Sequence, residues 1–309
     1  LRAMVDREFP GRILLAEANQ WPEDVVAYFG DDDECHMAFH FPVMPRLYLS
    51  LKRRDATSLI DIIDRTPPIP PNAQWGIFLR NHDELTLEMV TEDERAYLYE
   101  QYAPDPQMKK NLGIRRRLAP LLDGDRRRIE LLNGLLLSLP GSPIIYYGDE
   151  IGMGDEYRLE DRDGVRTPMQ WDATPGVGFS AADPADFYLP VVMAPGYTPA
   201  EVNVAAQRGE AGSLLRRMHD LLALRRNHPV FGTGTFEAVA AQAPEAFTFL
   251  RTSADEQVLV IANMSDQHIE TTLGMANTAA FTSVRGDRRI AQGVASLAPY
   301  EFDWLLAER

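Results

Sequence analysis

Two carboxylates stand where short apolar runs end. Glu17 closes Gly11-Arg-Ile-Leu-Leu-Ala-Glu17, and Asp83 lies in Gly76-Ile-Phe-Leu-Arg-Asn-His-Asp-Glu84. A buried parallel strand reads as such a run, and side chains at its C-terminal end face the mouth of a barrel. Carboxylates delivered from different strands suit glycosidic-bond chemistry, where one protonates the leaving oxygen and another attacks or stabilises the developing cation. A general acid needs shielding that raises its pKa, and a strand tip beside the indole of Trp21 would shield Glu17. An equal reading makes Glu17 the cap of the following turn. In Asn81-His82-Asp83, a neutral imidazole can donate to sugar hydroxyls while the carboxylate faces an oxocarbenium-like transition state. The plainer alternative is a structural His–Asp couple in a turn.

Other polar clusters say less. His36 and His40 have a spacing that ligates metal on a helix, but their segment reads as a strand and no third ligand follows at a suitable distance. The run Gly148-Asp-Glu-Ile-Gly-Met-Gly154 lacks both the P-loop Lys-Ser/Thr pair and the dinucleotide glycine spacing, so it reads as a turn on a barrel rim. In Arg162-Asp-Gly-Val-Arg-Thr-Pro-Met-Gln-Trp171, Arg166 either reaches sugar hydroxyls, orients a carboxylate, or makes a surface ion pair. Residues 115–117 and 126–128 are both Arg-Arg-Arg, read as solvated helix faces or internal salt bridges.

The elements that must carry these residues alternate. Strands are expected at 12–16, 35–41, 74–79 and 143–147, with helices near 1–9, 21–29, 46–54, 58–65, 126–139 and 214–226. Alternation of apolar strands with helices implies a parallel sheet covered by helices, an α/β arrangement of four strand–helix units. Four units make half of a (β/α)8 TIM barrel. A half-barrel leaves two raw sheet edges, and the chain begins with Leu1, so the reading is the second half of a barrel whose first half is missing. Residues 85–117, charged and mostly helical in pattern, are too long for an ordinary βα loop and form an insertion. After residue 230 the texture changes to short alternating runs, predicting a small antiparallel β-sandwich over 234–309 behind a barrel portion over 1–230.

Composition excludes some partners. Among 309 residues, 46 acidic against 31 basic side chains give a charge of −15, which repels phosphate backbones and anionic lipid and argues against nucleic-acid or membrane-surface binding. Cys35 is the lone cysteine, so no intrachain disulfide forms and a cytoplasmic setting is favoured. The most apolar stretch, residues 131–147, is broken by Asn, Gly and Pro and cannot span a bilayer as a helix.

Four motifs carry a resemblance: Leu-Leu-Ala-Glu17-Ala-Asn19, Phe-Leu-Arg-Asn-His82-Asp83-Glu84, Tyr-Tyr-Gly-Asp-Glu-Ile-Gly-Met and Arg166-Thr-Pro-Met-Gln-Trp-Asp. Together they resemble the α-amylase superfamily of glycoside hydrolases, and more narrowly its trehalose synthase family. The resemblance implies a retaining mechanism with Glu17 as acid/base, Asp83 as the transition-state-stabilising carboxylate, and His82 and Arg166 binding sugar. The family's nucleophile sits in a Gly-x-Arg-x-Asp-Ala pattern that this sequence does not contain, so the chain alone is expected to be inactive.

The reaction implied is interconversion of maltose and trehalose, with the released glucose held while the glucosyl-enzyme waits. Glu84 and Glu88, which would face one way on a helix, are expected to hold that glucose with Asn19; a solvated helix face is the alternative. No cofactor is identifiable. Calcium is common in the superfamily, but its implied ligands lie mostly in the missing half. Competing functions are an α-glucosidase or oligo-1,6-glucosidase that hydrolyses, a non-catalytic amylase-like binding protein, and a half completed by another polypeptide. Oligomeric state is left open.

Overall fold

Four short parallel strands lie side by side in chain order: β1 (Leu15–Ala16), β2 (Met37–Phe39), β3 (Gln74–Phe78) and β4 (Ser142–Ile144). The computed structural model describes residues 1–275 and 280–308; residues 276–279 and 309, inside the expected β domain, lie outside it. Register runs Ala16 to Ala38, Ala38 to Trp75 and Gly76 to Ser142, all parallel. β3 is the apolar centre, with Trp75, Ile77 and Phe78 buried, as a strand covered on both faces requires. Its Gly76 lets the β4 side chain Ile144 approach: a Cβ there would stand 3.1 Å from Ile144 Cδ1. This is the sequential parallel order of a (β/α)8 half-barrel.

Helices connect the strands as their caps dictate. Val43–Arg53 starts behind Pro42 and ends on Arg54 in the left-handed region (φ 56°), and Thr57–Asp64 packs against it. Arg126–Leu136 is capped by Asp125, which accepts from Arg127 N, and buries Leu131, Leu132, Leu135 and Leu136. Ser213 caps Leu214–Asn227 in the same way, accepting from Arg216 N. Among the described residues no helix is long and apolar enough to cross a membrane.

The segment 85–117 corrects the helical expectation. Only Glu92–Tyr102 is an α-helix of length, opened by a reciprocal capping box between Thr91 and Glu94. Around it Leu85–Thr86, Lys109–Lys110 and Gly113–Ile114 form a small antiparallel sheet. Strands of two residues are too short to print a period in the sequence, so they leave no signal against a helical pattern.

Beyond residue 234 the chain is antiparallel. Six strands, in spatial order Arg289–Ile290, Phe281–Ser283, Phe302–Ala307, Gln257–Asn263, Ala246–Thr252 and Thr235–Ala238, face a pair made of Ile269–Thr272 and Val294–Leu297. Period-two alternation divides their side chains. Leu259, Ile261 and Leu305 point into the sandwich with Ile269, Ala295 and Leu297. Phe247, Phe249, Val258, Val260 and Trp304 point the other way, into the core shared with the barrel helices. Arg251, 1% exposed, crosses that boundary and donates to Ser138 O at 2.7 Å, just beyond the end of Arg126–Leu136. A cation beside unpaired helix carbonyls suits the helix dipole.

Candidate active site

All four barrel strands release their chain at one end, and the chemistry collects there. Glu17 follows β1, the segment from Arg80 to Asp83 follows β3, and Tyr146 to Asp149 follow β4. Glu17, His82 and Asp83 each bring a side-chain oxygen or nitrogen within 4.8 Å of the others, although 65 residues separate the first two in sequence (82 − 17). Such a set could hold a cation by distance alone, and no ion is needed to account for it.

Asp83 is the most elaborately held. Its backbone N–H donates to Asn81 Oδ1 at 3.0 Å, which fixes the turn. Arg80 is 1% exposed and donates from Nη2 to Asp83 O at 2.6 Å and from Nε to Arg116 O at 2.7 Å. Arg166 Nη2 donates to Asp83 Oδ1 at 2.7 Å, and its Nε to His82 O at 2.8 Å. A second guanidinium, Arg162, lies 3.4 Å from the same Oδ1. Charge-assisted bonds of this kind fix the carboxylate in place. His82 Nε2 stands 3.7 Å from Asp83 Oδ2, beyond hydrogen-bond reach, so the two are not a hydrogen-bonded structural couple.

Glu17 departs from expectation. Its side chain is exposed rather than shielded. The indole of Trp21 lies under two guanidiniums, Arg46 at 5.4 Å and Arg65 at 4.5 Å. Cation–π attraction to two arginines outweighs any contact that a lone carboxylate offers an indole.

The three residues expected to hold a second sugar separate into two groups. Asn19 Nδ2 donates to Glu88 Oε2 at 2.6 Å and to Thr86 Oγ1 at 3.2 Å, while Asn19 Oδ1, buried, has no hydrogen-bond partner among the described residues. Glu84 is buried and points elsewhere, accepting from Asn111 Nδ2 at 2.7 Å with Arg162 Nη1 at 3.7 Å. Because 84–88 runs through the strand Leu85–Thr86 into a turn that begins at residue 88, the segment is not helical. The helical premise is thereby corrected; spacing alone would not part the two, since residues i and i+4 of an extended segment share a face, and it is the bond from Asn111 that holds Glu84 toward the insertion.

The loop after β4 walls the site. Arg115 Nη1 donates to Leu159 O and Asp161 O, both at 2.6 Å, and Lys110 pairs with Asp161 at 3.2 Å, lacing this loop to the insertion. Arg116 grips Asp155 at 2.9 Å. The first arginine run is thus internal scaffolding. The second lies at a helix start, where Arg126, Arg127 and Arg128 pair with Glu130, Asp125 and Asp123. Past Arg166 the loop opens a groove of about 590 Å³ lined by Tyr147, Glu150, Trp171, Phe179 and Tyr188.

The two histidines weighed as metal ligands are engaged otherwise. His36 Nδ1 accepts from Leu14 N at 3.0 Å and Nε2 faces Asp6 at 3.1 Å. His40 is buried against Trp75 and bonds Thr66 Oγ1 at 2.8 Å. Burial pushes its imidazole pKa down to about 4. Sequence reasoning overlooked Arg80, Arg117, Asp149 and Arg162. For Arg80 the available signal was a charged residue directly after an apolar strand.

The profile described as the catalytic domain of alpha amylase matches residues 115–234, and that of the maltogenic amylase C-terminal domain matches 236–304. Trehalose synthase/amylase TreS of Mycobacterium tuberculosis is 57% identical over 272 residues, covering 86% of this chain and 45% of that protein. Trehalose synthase of Pimelobacter is 51% identical over 278 residues, covering 86% and 48%. That of Thermus thermophilus is 52% identical over 265 residues, covering 85% and 28%. The chain therefore spans about half the length, or less, of these curated relatives. Among solved structures, an alpha-amylase from H. orenii superposes with a TM-score of 0.68 at 20% identity, over 99% of this chain and 55% of that one. A trehalulose synthase variant bound to Tris gives 0.69 at 20%, over 100% and 58%. At that identity the structures speak to fold alone.

Proposed function

The chain belongs to the α-amylase superfamily of glycoside hydrolases, within its trehalose synthase family, and from that membership we propose that it carries the acid/base side of a retaining site that interconverts maltose and trehalose. The observation that carries the reading is the convergence of Glu17, His82 and Asp83 at the C-terminal ends of two different strands. Relatives named trehalose synthase support the reaction, and the convergence supports the roles that the family resemblance implies.

In this reading Glu17 gives its proton to the glycosidic oxygen of maltose as the bond to the anomeric carbon breaks. Asp83, held in place by Arg166, faces the positive charge that develops on the sugar. The glucosyl group passes to a nucleophilic carboxylate, for which this sequence offers no Gly-x-Arg-x-Asp-Ala motif. The freed glucose turns within the site and offers its anomeric hydroxyl. Glu17, now a base, takes that proton as the new bond forms, and trehalose results. Microscopic reversibility gives the same path back.

What separates transfer from hydrolysis is retention of the glucose. The Asn19–Glu88 pair supports that role, because Asn19 Oδ1 has no hydrogen-bond partner among the described residues. Glu84 acts on the insertion that walls the site rather than on the sugar. Glu17 is exposed in this chain, so the shielding that raises an acid's pKa is a demand on the rest of the assembled site. We also read residues 1–230 as the barrel portion and 234–309 as a separate β domain, with a cytoplasmic setting for a chain with one cysteine.

The test is product analysis. The 309-residue chain, alone and joined to the N-terminal half of a trehalose synthase, is incubated with maltose. The joined protein should yield trehalose in excess of glucose and the chain alone neither. Glucose as the sole product would replace this reading with an α-glucosidase, and no turnover by the joined, folded protein would favour the binding-protein alternative.

A further inference from the structure

Beneath the site lie two arginines with almost no exposure, Arg80 at 1% and Arg117 at 0%. Each holds a backbone carbonyl of a loop that carries site residues. Arg80 Nη2 donates to Asp83 O and Arg117 Nη1 to Tyr147 O, both at 2.6 Å. Arg117 also lies over the rings of Tyr146 and Tyr147, at 4.8 and 4.6 Å. Arg80 Nη1 and Arg117 Nε and Nη2 make no hydrogen bond among the described residues. Two buried cations that repel each other are costly without a nearby anion.

Glu150 and Asp155 also act on Arg117, and Arg117 N donates to Asp155 Oδ2 at 2.7 Å; the carboxylate that acts on both arginines is Asp149, in the turn after β4 and 4% exposed. Among the charges acting on Arg80 it is the sole carboxylate; the others are Tyr48, Tyr146 and Arg117. The groups acting on Asp149 are Arg117, Arg80, Glu150 and the Leu118 backbone N–H. Asp149 Oδ1 has no hydrogen-bond partner among the described residues, so its influence on the arginines is through its field rather than through a fixed bond.

We propose that Asp149 is a positioning residue whose charge sets the placement of Arg80 and Arg117 and, through them, of Asp83 and Tyr147. Burial pushes its carboxyl pKa up to about 7, so the charge changes near neutrality, where an ordinary aspartate stays ionised throughout. Ionised, it draws the two guanidiniums together under the loops. Protonated, it leaves them to repel, and the carbonyls they hold shift. The inference rests on the proposed function only in giving Asp83 a catalytic role; the contacts hold whatever the substrate.

The experiment is NMR on the 309-residue chain with ¹³C-labelled aspartate and tyrosine, titrated from pH 5 to 9 (about two units either side of 7). The Asp149 carboxyl carbon should titrate near 7, and the Tyr147 ring and Asp83 amide should follow with the same midpoint. In Asp149→Asn their shared step should vanish, while Asp149→Glu should restore a step at a displaced midpoint. An Asp149 carboxyl titrating in the ordinary range near 4 would overturn the proposal without any variant. So would a Tyr147 and Asp83 step that survives in Asp149→Asn. Because no turnover is measured, failure here is separate from failure of the glucosyl-transfer reading.

Discussion

Arg166 Nη2 lies 2.7 Å from Asp83 Oδ1, so a residue from the loop after β4 fixes the carboxylate delivered by β3. The same guanidinium spends its Nε on His82 O at 2.8 Å, which makes the contact a fork across two adjacent residues. A point charge on a flexible stem cannot reproduce that fork. In a protein carrying both barrel halves, Arg166→Ala should lower the rate of trehalose formation about 100-fold or more, as loss of an oriented electrostatic partner typically does. Arg166→Lys should recover little of it. Initial rates on maltose check both, and near wild-type activity in Arg166→Lys would contradict the role given to the fork.

Asn19 and Glu88 should behave as a pair, and Glu84 should not join them. Asn19→Ala and Glu88→Ala remove opposite ends of one 2.6 Å bond, so each should raise the ratio of free glucose to trehalose, and the double variant should add little to either single one. Glu84→Ala instead strips the partner of Asn111 and Arg162, so its first effect should be on stability of the insertion. Chromatography of products and thermal unfolding, run on all four proteins, separate the two outcomes. An unchanged product ratio in both Asn19→Ala and Glu88→Ala would remove these residues from glucose retention.

Gly134 marks where the β domain meets the barrel. A Cβ at this helical position would stand 2.2 Å from Phe302 Cε2. Ordinarily alanine in a helix is better than glycine by about 1 kcal/mol. Here overpacking should reverse the sign, so that Gly134→Ala destabilises by about 1–3 kcal/mol. Urea unfolding should show a lower midpoint, and combining the change with Phe302→Ala should remove most of the additional cost. A Gly134→Ala protein as stable as wild type would mean that the two parts can separate freely.

Two buried groups should tilt stability with pH in opposite directions. His40, its pKa pushed down to about 4 by burial, stays neutral when folded, whereas unfolded histidine takes up a proton below about 6.5. Its contribution is complete above about 6.5 and is lost as pH falls toward 4, on the order of 3 kcal/mol in all. Asp149, pushed up to about 7, keeps its proton when folded while the unfolded chain releases it near 4. That contribution is present at low pH and is lost as pH rises toward 7. The effects mask each other in the wild type. Urea unfolding between pH 4 and 7 should give a steeper gain with pH in Asp149→Asn and a steeper loss in His40→Gln. The same slope in all three proteins would contradict both assignments.

Much of the scaffold was legible because its signals are repetitive. The run ending at Phe78 and the leucines of Arg126–Leu136 announce a buried strand and a covering helix through pattern alone. Asp83 was legible because a carboxylate stands directly behind such a strand. The small insertion sheet was not, since Lys109–Lys110 and Gly113–Ile114 are each too short to show alternation. Arg117 was hidden for another reason: within three consecutive arginines nothing local tells which one is buried, and only packing against Tyr146 and Tyr147 decides it. Asp149 looked like part of a rim turn, because a buried charge is defined by the cations around it and those come from distant segments.

The most direct test of the account replaces Glu17 and Asp83 in the joined protein and compares maltose with α-glucosyl fluoride. Fluoride leaves without protonation, so it bypasses an acid but not a charge-stabilising carboxylate. Glu17→Gln should lose most turnover of maltose yet still accept the fluoride for the first glucosyl step, while Asp83→Asn should fail on both. Equal loss on both substrates in Glu17→Gln, or full activity in either variant, would contradict the roles assigned to these two carboxylates.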